Sequence, residues 1–132
     1  MLDAERDAHA IRARMRAYSS AVLKFLKERR ELIAHEMIIK ELVNANDKYT
    51  LAEIVLDYTL PVLTRIRAIE GLKEIGATHL RDALKSKINS RIVALEHVHA
   101  GWSYPGTQEI PQFSVSIEKL VLSKIDEILT PG

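Results

Sequence analysis

The part of this sequence richest in metal-binding and proton-transfer groups is ALEHVHAGW, which contains Glu96, His97 and His99. Imidazole and carboxylate groups bind zinc and transfer protons, so a metal-dependent enzyme near His97 and His99 is one hypothesis. On a helix, however, residues two apart point about 200° away from each other, and the two histidines would then face different sides. Histidines that bind one metal ion from a single helix are typically four residues apart, and no two histidines of this chain have that spacing. We therefore expect no metal site and no cofactor, and the metal-dependent enzyme stays only as an alternative.

Other catalytic motifs are also missing from the sequence. The chain has no cysteine, which excludes disulfides, thiolate metal sites and thiol nucleophiles together. It has no Gly-rich phosphate-binding loop, no Gly-x-Ser-x-Gly motif and no Gly-x-Gly fingerprint. The sequence therefore predicts a protein that is not an enzyme.

The segment GWSYPGTQEIPQF, residues 101–113, holds the only tryptophan and reads as a long loop. Tryptophan and tyrosine are frequent anchors of protein interfaces because they bury a large area with little loss of entropy. A second interpretation is that the tryptophan folds inward and closes the end of a helical bundle. The residues predicted to contact a partner protein are Trp102, Tyr104, Glu109 and His97.

A basic surface on the amino-terminal helix is the basis of an alternative function, which is binding to nucleic acid. Seven basic residues over about twenty positions could each contact a phosphate, and such binding weakens steeply with salt. Acidic residues are interspersed among them, and the formal net charge of the whole chain is only +1, so any such binding would depend on this patch. The residues predicted for this alternative are Arg12, Arg14, Arg16, Lys24 and Lys27.

The amino-terminal helix is the longest element that the sequence predicts. Residues 2–43 contain neither proline nor glycine, and apolar residues recur there at alternating spacings of four and three. Such a narrow seam packs against other helices of the chain or pairs with a second copy, which makes a homodimer one hypothesis. The seam includes Phe25 and Arg29, and we expect its buried part to end near Phe25. The apolar pattern shifts after Leu32, which predicts a break in the helix near residues 30–35.

Further helices follow at regular intervals. Thr50 and Glu53 form a capping-box pattern at the start of a short helix, and the next helix runs from Pro61 to a glycine stop at Gly76. A fourth helix begins near residue 78 and ends at Gly101, with a possible interruption at residues 89–90. Ser114 or Ser116 caps the last helix. The predicted fold is therefore all-α, a compact bundle of five to seven helices.

The middle of the chain, TRIRAIEGLKEIGATHLRDALKSKI, resembles one HEAT-type helical repeat. Arg65 occupies the arginine position of that pattern, Ala68 its small position and Gly76 its terminating glycine, whereas Gly71 replaces the usual second alanine. Residues 64–88 thus resemble a single HEAT-like hairpin, and no second copy is found at a spacing of about 40 residues. The resemblance implies a pair of packed helices and a scaffold or interaction role.

Length and composition place these elements in one soluble domain. The chain has 132 residues with 47% hydrophobic and 28% charged residues, which suits one globular core over residues 1–132. No apolar stretch approaches the roughly 20 residues that cross a bilayer, and the amino terminus does not resemble a signal peptide, so we expect a cytoplasmic protein. The leading hypothesis is a non-enzymatic protein-protein interaction module that acts as an adaptor, regulator or inhibitor.

Overall fold

A computed structural model describes residues 20–29, 31–101 and 109–131; the side chains of residues 98–101 and 109–113 lie outside this description. These residues form six α-helices and one 3-10 turn, with no strand among them, so the all-α fold is confirmed. The helices are α1 over residues 20–28, α2 Leu32–Asn44, α3 Lys48–Leu56, α4 Val62–Glu74, α5 Arg81–Gly101 and α6 Glu109–Ile128, with the 3-10 turn Thr78–Leu80 before α5.

The predicted break after the amino-terminal helix is confirmed. Arg29 is outside the helix, and Glu31 has an extended backbone (φ −83°, ψ 116°) before α2 starts. The remainder of the predicted long helix, residues 2–19, lies outside the described residues. Within α1 the seam is not the predicted one, because the buried residue is Leu26, whereas Phe25 is partly exposed and packs its ring against Arg29.

Helices α2 and α4 end in the same way. After α4, Gly76 adopts a positive φ of 76°, and the amide groups of Gly76 and Ala77 donate to the carbonyls of Lys73 and Leu72. This is the paired 5→2 and 6→1 pattern of a Schellman motif, and it confirms the predicted glycine stop. After α2, Asn46 takes the equivalent conformation with φ 52°. The amides of Asn46 and Asp47 donate to the carbonyls of Val43 and Leu42, which is the same pair of hydrogen bonds.

The two helical hairpins α2–α3 and α4–α5 correspond at a constant spacing of 30 residues. Positions 46 and 76 have positive φ, positions 39 and 69 are buried isoleucines, and positions 42 and 72 are buried leucines. Positions 35 and 65 are both buried and polar. The hairpin that resembles a HEAT repeat is therefore preceded by a second hairpin of the same construction, at a shorter spacing than about 40 residues.

The start of α3 differs from the sequence prediction. Asp47 is the N-cap, and its side chain accepts hydrogen bonds from the Thr50 amide (3.1 Å) and the Thr50 hydroxyl (2.6 Å). The predicted capping box with Thr50 as the cap is therefore wrong, and the helix begins at Lys48. An aspartate satisfies the free amides of a first helical turn as well as threonine does and also favours the positive end of the helix dipole.

The last two helices differ from the prediction. Helix α5 begins at Arg81, continues without interruption through Asn89 and Ser90 and is described as far as Gly101, where the described residues stop. Helix α6 begins at Glu109, several residues before the predicted caps Ser114 and Ser116. Pro111 does not prevent this, because a proline in the first turn of a helix replaces an amide that would have no partner there. The predicted loop therefore reaches at most residue 108, and Glu109 belongs to a helix.

The hairpins and α6 stack side by side. Helices α2, α4 and α6 form one row, and α3 and α5 form the second, with α5 also packing on α6. Gly71 permits the close approach of α2 and α4, because a Cβ atom at this position would lie 2.9 Å from Val43 Cγ2. The shared core consists of aliphatic side chains, including Leu51, Ile54, Ile69, Leu72, Val121, Ile125 and Leu129.

Helix α1 is attached to this stack by His35 and by one ion pair. The buried His35 ring lies with Nδ1 2.8 Å from the Thr64 hydroxyl on α4, and its Nε2 is within 3.0 Å of the Leu26 carbonyl and 2.7 Å of the Arg29 carbonyl. Since carbonyls only accept, Nε2 carries the proton and satisfies the carboxyl end of α1. The Lys27 ammonium also lies 3.3 Å from the Asp57 carboxylate, beyond the end of α3.

Candidate interaction surface

A furrow between helices α2 and α4 is one of the recesses that the described residues form. Its volume is about 500 Å³, and its floor consists of the apolar Ile39 and Val43 with Gly71 between them. Toward the start of both helices, Leu32 and Leu63 line a narrow crevice that has no room for a water molecule, so the open furrow does not extend there. The open furrow borders α2 from Glu36 to Asn44, which corresponds to about 13 Å.

The charged side chains along the furrow fall into two groups. In the middle, Arg67 of α4 lies 3.4 Å from the Glu36 carboxylate on α2 and 3.1 Å from the Glu70 carboxylate on its own helix. One guanidinium thus faces two carboxylates, and this part of the furrow keeps a negative charge. Toward the ends of the helices lie Lys40 and Glu74, which are exposed and form no ion pair within the described part of the chain. The far end of the furrow thus offers one free charge of each sign.

Two apolar side chains are exposed on α2 next to the residues that line the furrow, although neither lines it. Ile33 is 75% exposed and Met37 is 61% exposed, and their spacing of four residues places them on one face of the helix. Leu32 and Leu63, also partly exposed, lie at the mouth of the narrow crevice. Helix α6 lies at the other end of the row α2, α4 and α6. Its exposed side chains are mostly polar, with Leu120 as the apolar exception: Ser116, Lys119, Ser123, Asp126 and Glu127.

A buried ion pair within the stack connects α4 to α6. The Arg65 guanidinium, which is 0% exposed, donates to both oxygens of Glu118 at 2.8 and 2.9 Å, and its Nε donates to the Val55 carbonyl at 2.8 Å. Glu118 is 2% exposed and also lies 3.4 Å from the Nε of Arg91 on α5. The sequence identified Arg65 only as the arginine of the HEAT-like pattern. Nothing in the sequence indicated that it pairs with Glu118, 53 positions away.

Of the residues predicted to contact a partner protein, the structure describes the side chain of His97 alone. It is exposed on α5. Trp102 and Tyr104 lie outside the described residues, as does the side chain of Glu109. The structure therefore neither brings these four residues together nor separates them.

The predicted nucleic-acid surface is described only in part. Arg12, Arg14 and Arg16 lie outside the described residues. Lys24 is exposed, with its ammonium 4.0 Å from Glu28, and Lys27 pairs with Asp57. Both described lysines of this surface are thus next to a carboxylate.

The hydrogen bonds around Asp57 make its pairing with Lys27 dependent on pH. Burial acts to raise the pKa of the Asp57 carboxyl, but the hydroxyl and amide of Thr59 and the Lys27 ammonium together outweigh burial and hold this pKa below its usual value. Asp57 accepts from the Thr59 hydroxyl at 2.6 Å and from its amide at 3.0 Å. The carboxylate that holds α1 is therefore charged at neutral pH.

The described residues show neither a metal-binding cluster nor a membrane-spanning helix. No group of three or more histidine, aspartate or glutamate side chains is arranged there to hold a metal ion. No helix in that part of the chain combines the length and apolar character needed to cross a membrane. Comparisons of the chain with protein-family models, curated proteins and solved structures gave no significant match.

Proposed function

We propose that this protein acts by binding another protein, as an adaptor, regulator or inhibitor and not as an enzyme, and that the furrow between α2 and α4 is a contact surface. The observation that carries the proposal is the exposure of Ile33 and Met37 on α2 beside a recess with an apolar floor. Large apolar side chains grouped at the edge of a recess are typical of protein interfaces, whereas single exposed ones need no explanation.

The shape and charge of the furrow favour a helical ligand. A recess about 13 Å long between two helices accommodates about two and a half turns of a third helix. Its apolar residues, spaced by three and four, would cover Met37, Leu32 and Leu63 at one end. At the other end, the partner would offer a basic group to Glu74 and an acidic group to Lys40, neither of which has an ion pair with another described residue.

Photo-crosslinking in the native host tests this surface. A benzoylphenylalanine placed at position 33 or 37 should crosslink to the same partner protein. The double change Ile33→Asp and Met37→Asp should weaken binding of that partner at least about 10-fold, because apolar anchors at such edges contribute on the order of 1–2 kcal/mol each.

The matched control is Val93→Asp on α5, since Val93 is apolar and 66% exposed like Ile33 but lies away from the furrow. Thermal melts by circular dichroism should be similar for all of these variants. Equal capture of the partner by the wild type, the furrow variant and the Val93→Asp control would show that the furrow does not bind it.

The aromatic segment is a second contact region in this proposal and needs a separate experiment. Replacing Trp102 and Tyr104 by alanine should abolish capture of the partner while the melting temperature changes little, if both rings contact the partner. A large fall in the melting temperature would instead show that Trp102 belongs to the core.

A further inference from the structure

Arg91 on α5 is a partly buried cation that does not line the furrow. Its Cζ atom lies 3.6 Å from the centroid of the Tyr58 ring, so the guanidinium is packed closely against an aromatic face. The Arg91 side chain is only 28% exposed. Its Nε is buried and has no hydrogen-bond acceptor, although Glu118 Oε1 is 3.4 Å away.

The charges around Arg91 do not balance. Both oxygens of Glu118 already accept hydrogen bonds from Arg65, which uses its third donor group on a backbone carbonyl. Arg65 and Arg91 thus share a single carboxylate, and the cluster has one positive charge in excess. Desolvating a cation without an acceptor is costly, and buried polar groups in folded proteins almost always have a partner.

The unused donors of Arg91 are accessible. A guanidinium has five N–H donors. The terminal nitrogens of Arg91 donate to no acceptor among the described residues, and only Nε is both buried and without a partner, so solvent reaches the other two. The other arginine with a buried unpaired Nε, Arg81, differs because its terminal nitrogens donate to Asp82 and Asp126.

We propose that Arg91 is the recognition residue of an oxyanion-binding site on the side of the stack formed by α3 and α5. Stacking on Tyr58 and the nearby Glu118 carboxylate hold the guanidinium in one orientation, and a preoriented fork binds two oxygens of a carboxylate or a phosphate group in parallel. Lys87, one turn earlier on α5, is exposed and forms no ion pair in the described chain, so it adds positive charge to the same side. None of these residues lines the furrow, and the proposal does not depend on the function proposed above.

Nuclear magnetic resonance of the full chain, with the arginine Nε–H groups observed directly, tests this site. Sodium acetate and methyl phosphate, each titrated at constant ionic strength against sodium chloride, are the probes for the two sources of oxyanion. We expect at least one of them to shift the Arg91 signal along a saturable curve with a dissociation constant of about 1–10 mM, as suits one bidentate contact at a partly exposed site. The probe that saturates identifies the ligand as a carboxylate or a phosphate.

Substitutions show whether the planar guanidinium of Arg91 recognises the oxyanion or whether its positive charge alone attracts it. Arg91→Lys keeps the positive charge but loses the planar fork, so the affinity, followed through the Tyr58 ring signals, should fall at least 10-fold. Arg67→Lys is the matched control, because Arg67 is an exposed arginine on α4 that already has two carboxylate partners, and it should bind as the wild type does. Tyr58→Leu, which keeps Arg91 but removes the stacking ring, should weaken binding several-fold.

Three results would overturn the proposal. The first is an Arg91 signal that does not saturate with acetate or methyl phosphate up to about 50 mM, since weaker binding is not distinguishable from general attraction of ions. The second is an unchanged affinity in both Arg91→Lys and Tyr58→Leu. The third is an equal loss of affinity in Arg67→Lys. If Arg91→Lys does not fold, the wild-type titration and the Tyr58→Leu variant decide the question.

Discussion

Replacing Glu118 by glutamine should destabilise the protein strongly, because it leaves the charge of Arg65 buried and uncompensated. The Arg65 side chain is 0% exposed and its two terminal nitrogens lie 2.8 and 2.9 Å from the carboxylate, so water cannot take the place of the lost charge. Removing one partner of such a pair costs about 3–5 kcal/mol. With an unfolding entropy of about 2.1 cal/mol/K per residue, a 132-residue chain loses about 4 °C of melting temperature per kcal/mol, which gives a fall of about 10–18 °C.

The assay is equilibrium unfolding in urea, followed by far-UV circular dichroism, with Glu127→Gln as the matched control on the same helix. Glu127 forms an exposed ion pair with Lys124 at 3.4 Å, and its loss should cost less than about 0.5 kcal/mol. The double change Arg65→Met and Glu118→Leu should cost less, about 1–3 kcal/mol, because the Val55 carbonyl loses its donor and the partly exposed Arg91 loses the carboxylate of Glu118. A loss below about 1 kcal/mol in Glu118→Gln would refute the reasoning, as would a double variant less stable than the single one.

Three further predictions concern other contacts of the stack. His35→Leu should cost about 2–3 kcal/mol and speed hydrogen exchange in residues 20–28, because the carbonyls at the end of α1 lose their donor; unchanged exchange there would contradict it. Gly71→Ala should destabilise the wild type by about 1 kcal/mol by overpacking, yet stabilise the Val43→Ala variant in urea unfolding, because the atom 2.9 Å away is then missing. The lowered pKa of Asp57 stabilises the fold fully above its ordinary value of 3.8, and this contribution is lost as the pH falls through the lowered value. The stability difference between wild type and Asp57→Asn should therefore stay constant from about pH 7 to 5 and shrink below about pH 4, and a difference that shrinks already between pH 7 and 5 would contradict this sign.

Much of the fold could be predicted from local patterns. The break before Leu32 and the glycine stop at Gly76 follow from the residues at those positions, since caps and stops depend on the immediate backbone. The errors were also local in kind. Asp47 took the capping position expected for Thr50, and α6 is already helical at Glu109, because two nearby polar residues or a first-turn proline leave the boundary of a helix ambiguous.

The candidate surfaces could not be predicted in the same way. Ile33 and Met37 read as apolar residues of a helix, and periodicity does not reveal which part of an apolar pattern stays uncovered when the helices pack. The two side chains that contact Arg91 are Tyr58, after α3, and Glu118, on α6, so their proximity depends on how the helices stack.

The sequence by itself determined an all-helical chain, the positions of most helix ends and the absence of thiol chemistry, because each of these depends on residue types and short spacings. Only the tertiary structure decided that the hairpins correspond at 30 residues and that Arg65 meets Glu118. It also decided that Leu26, not Phe25, faces the core. These features arise from contacts between distant segments, whose geometry is fixed by packing the whole stack and not by any local pattern.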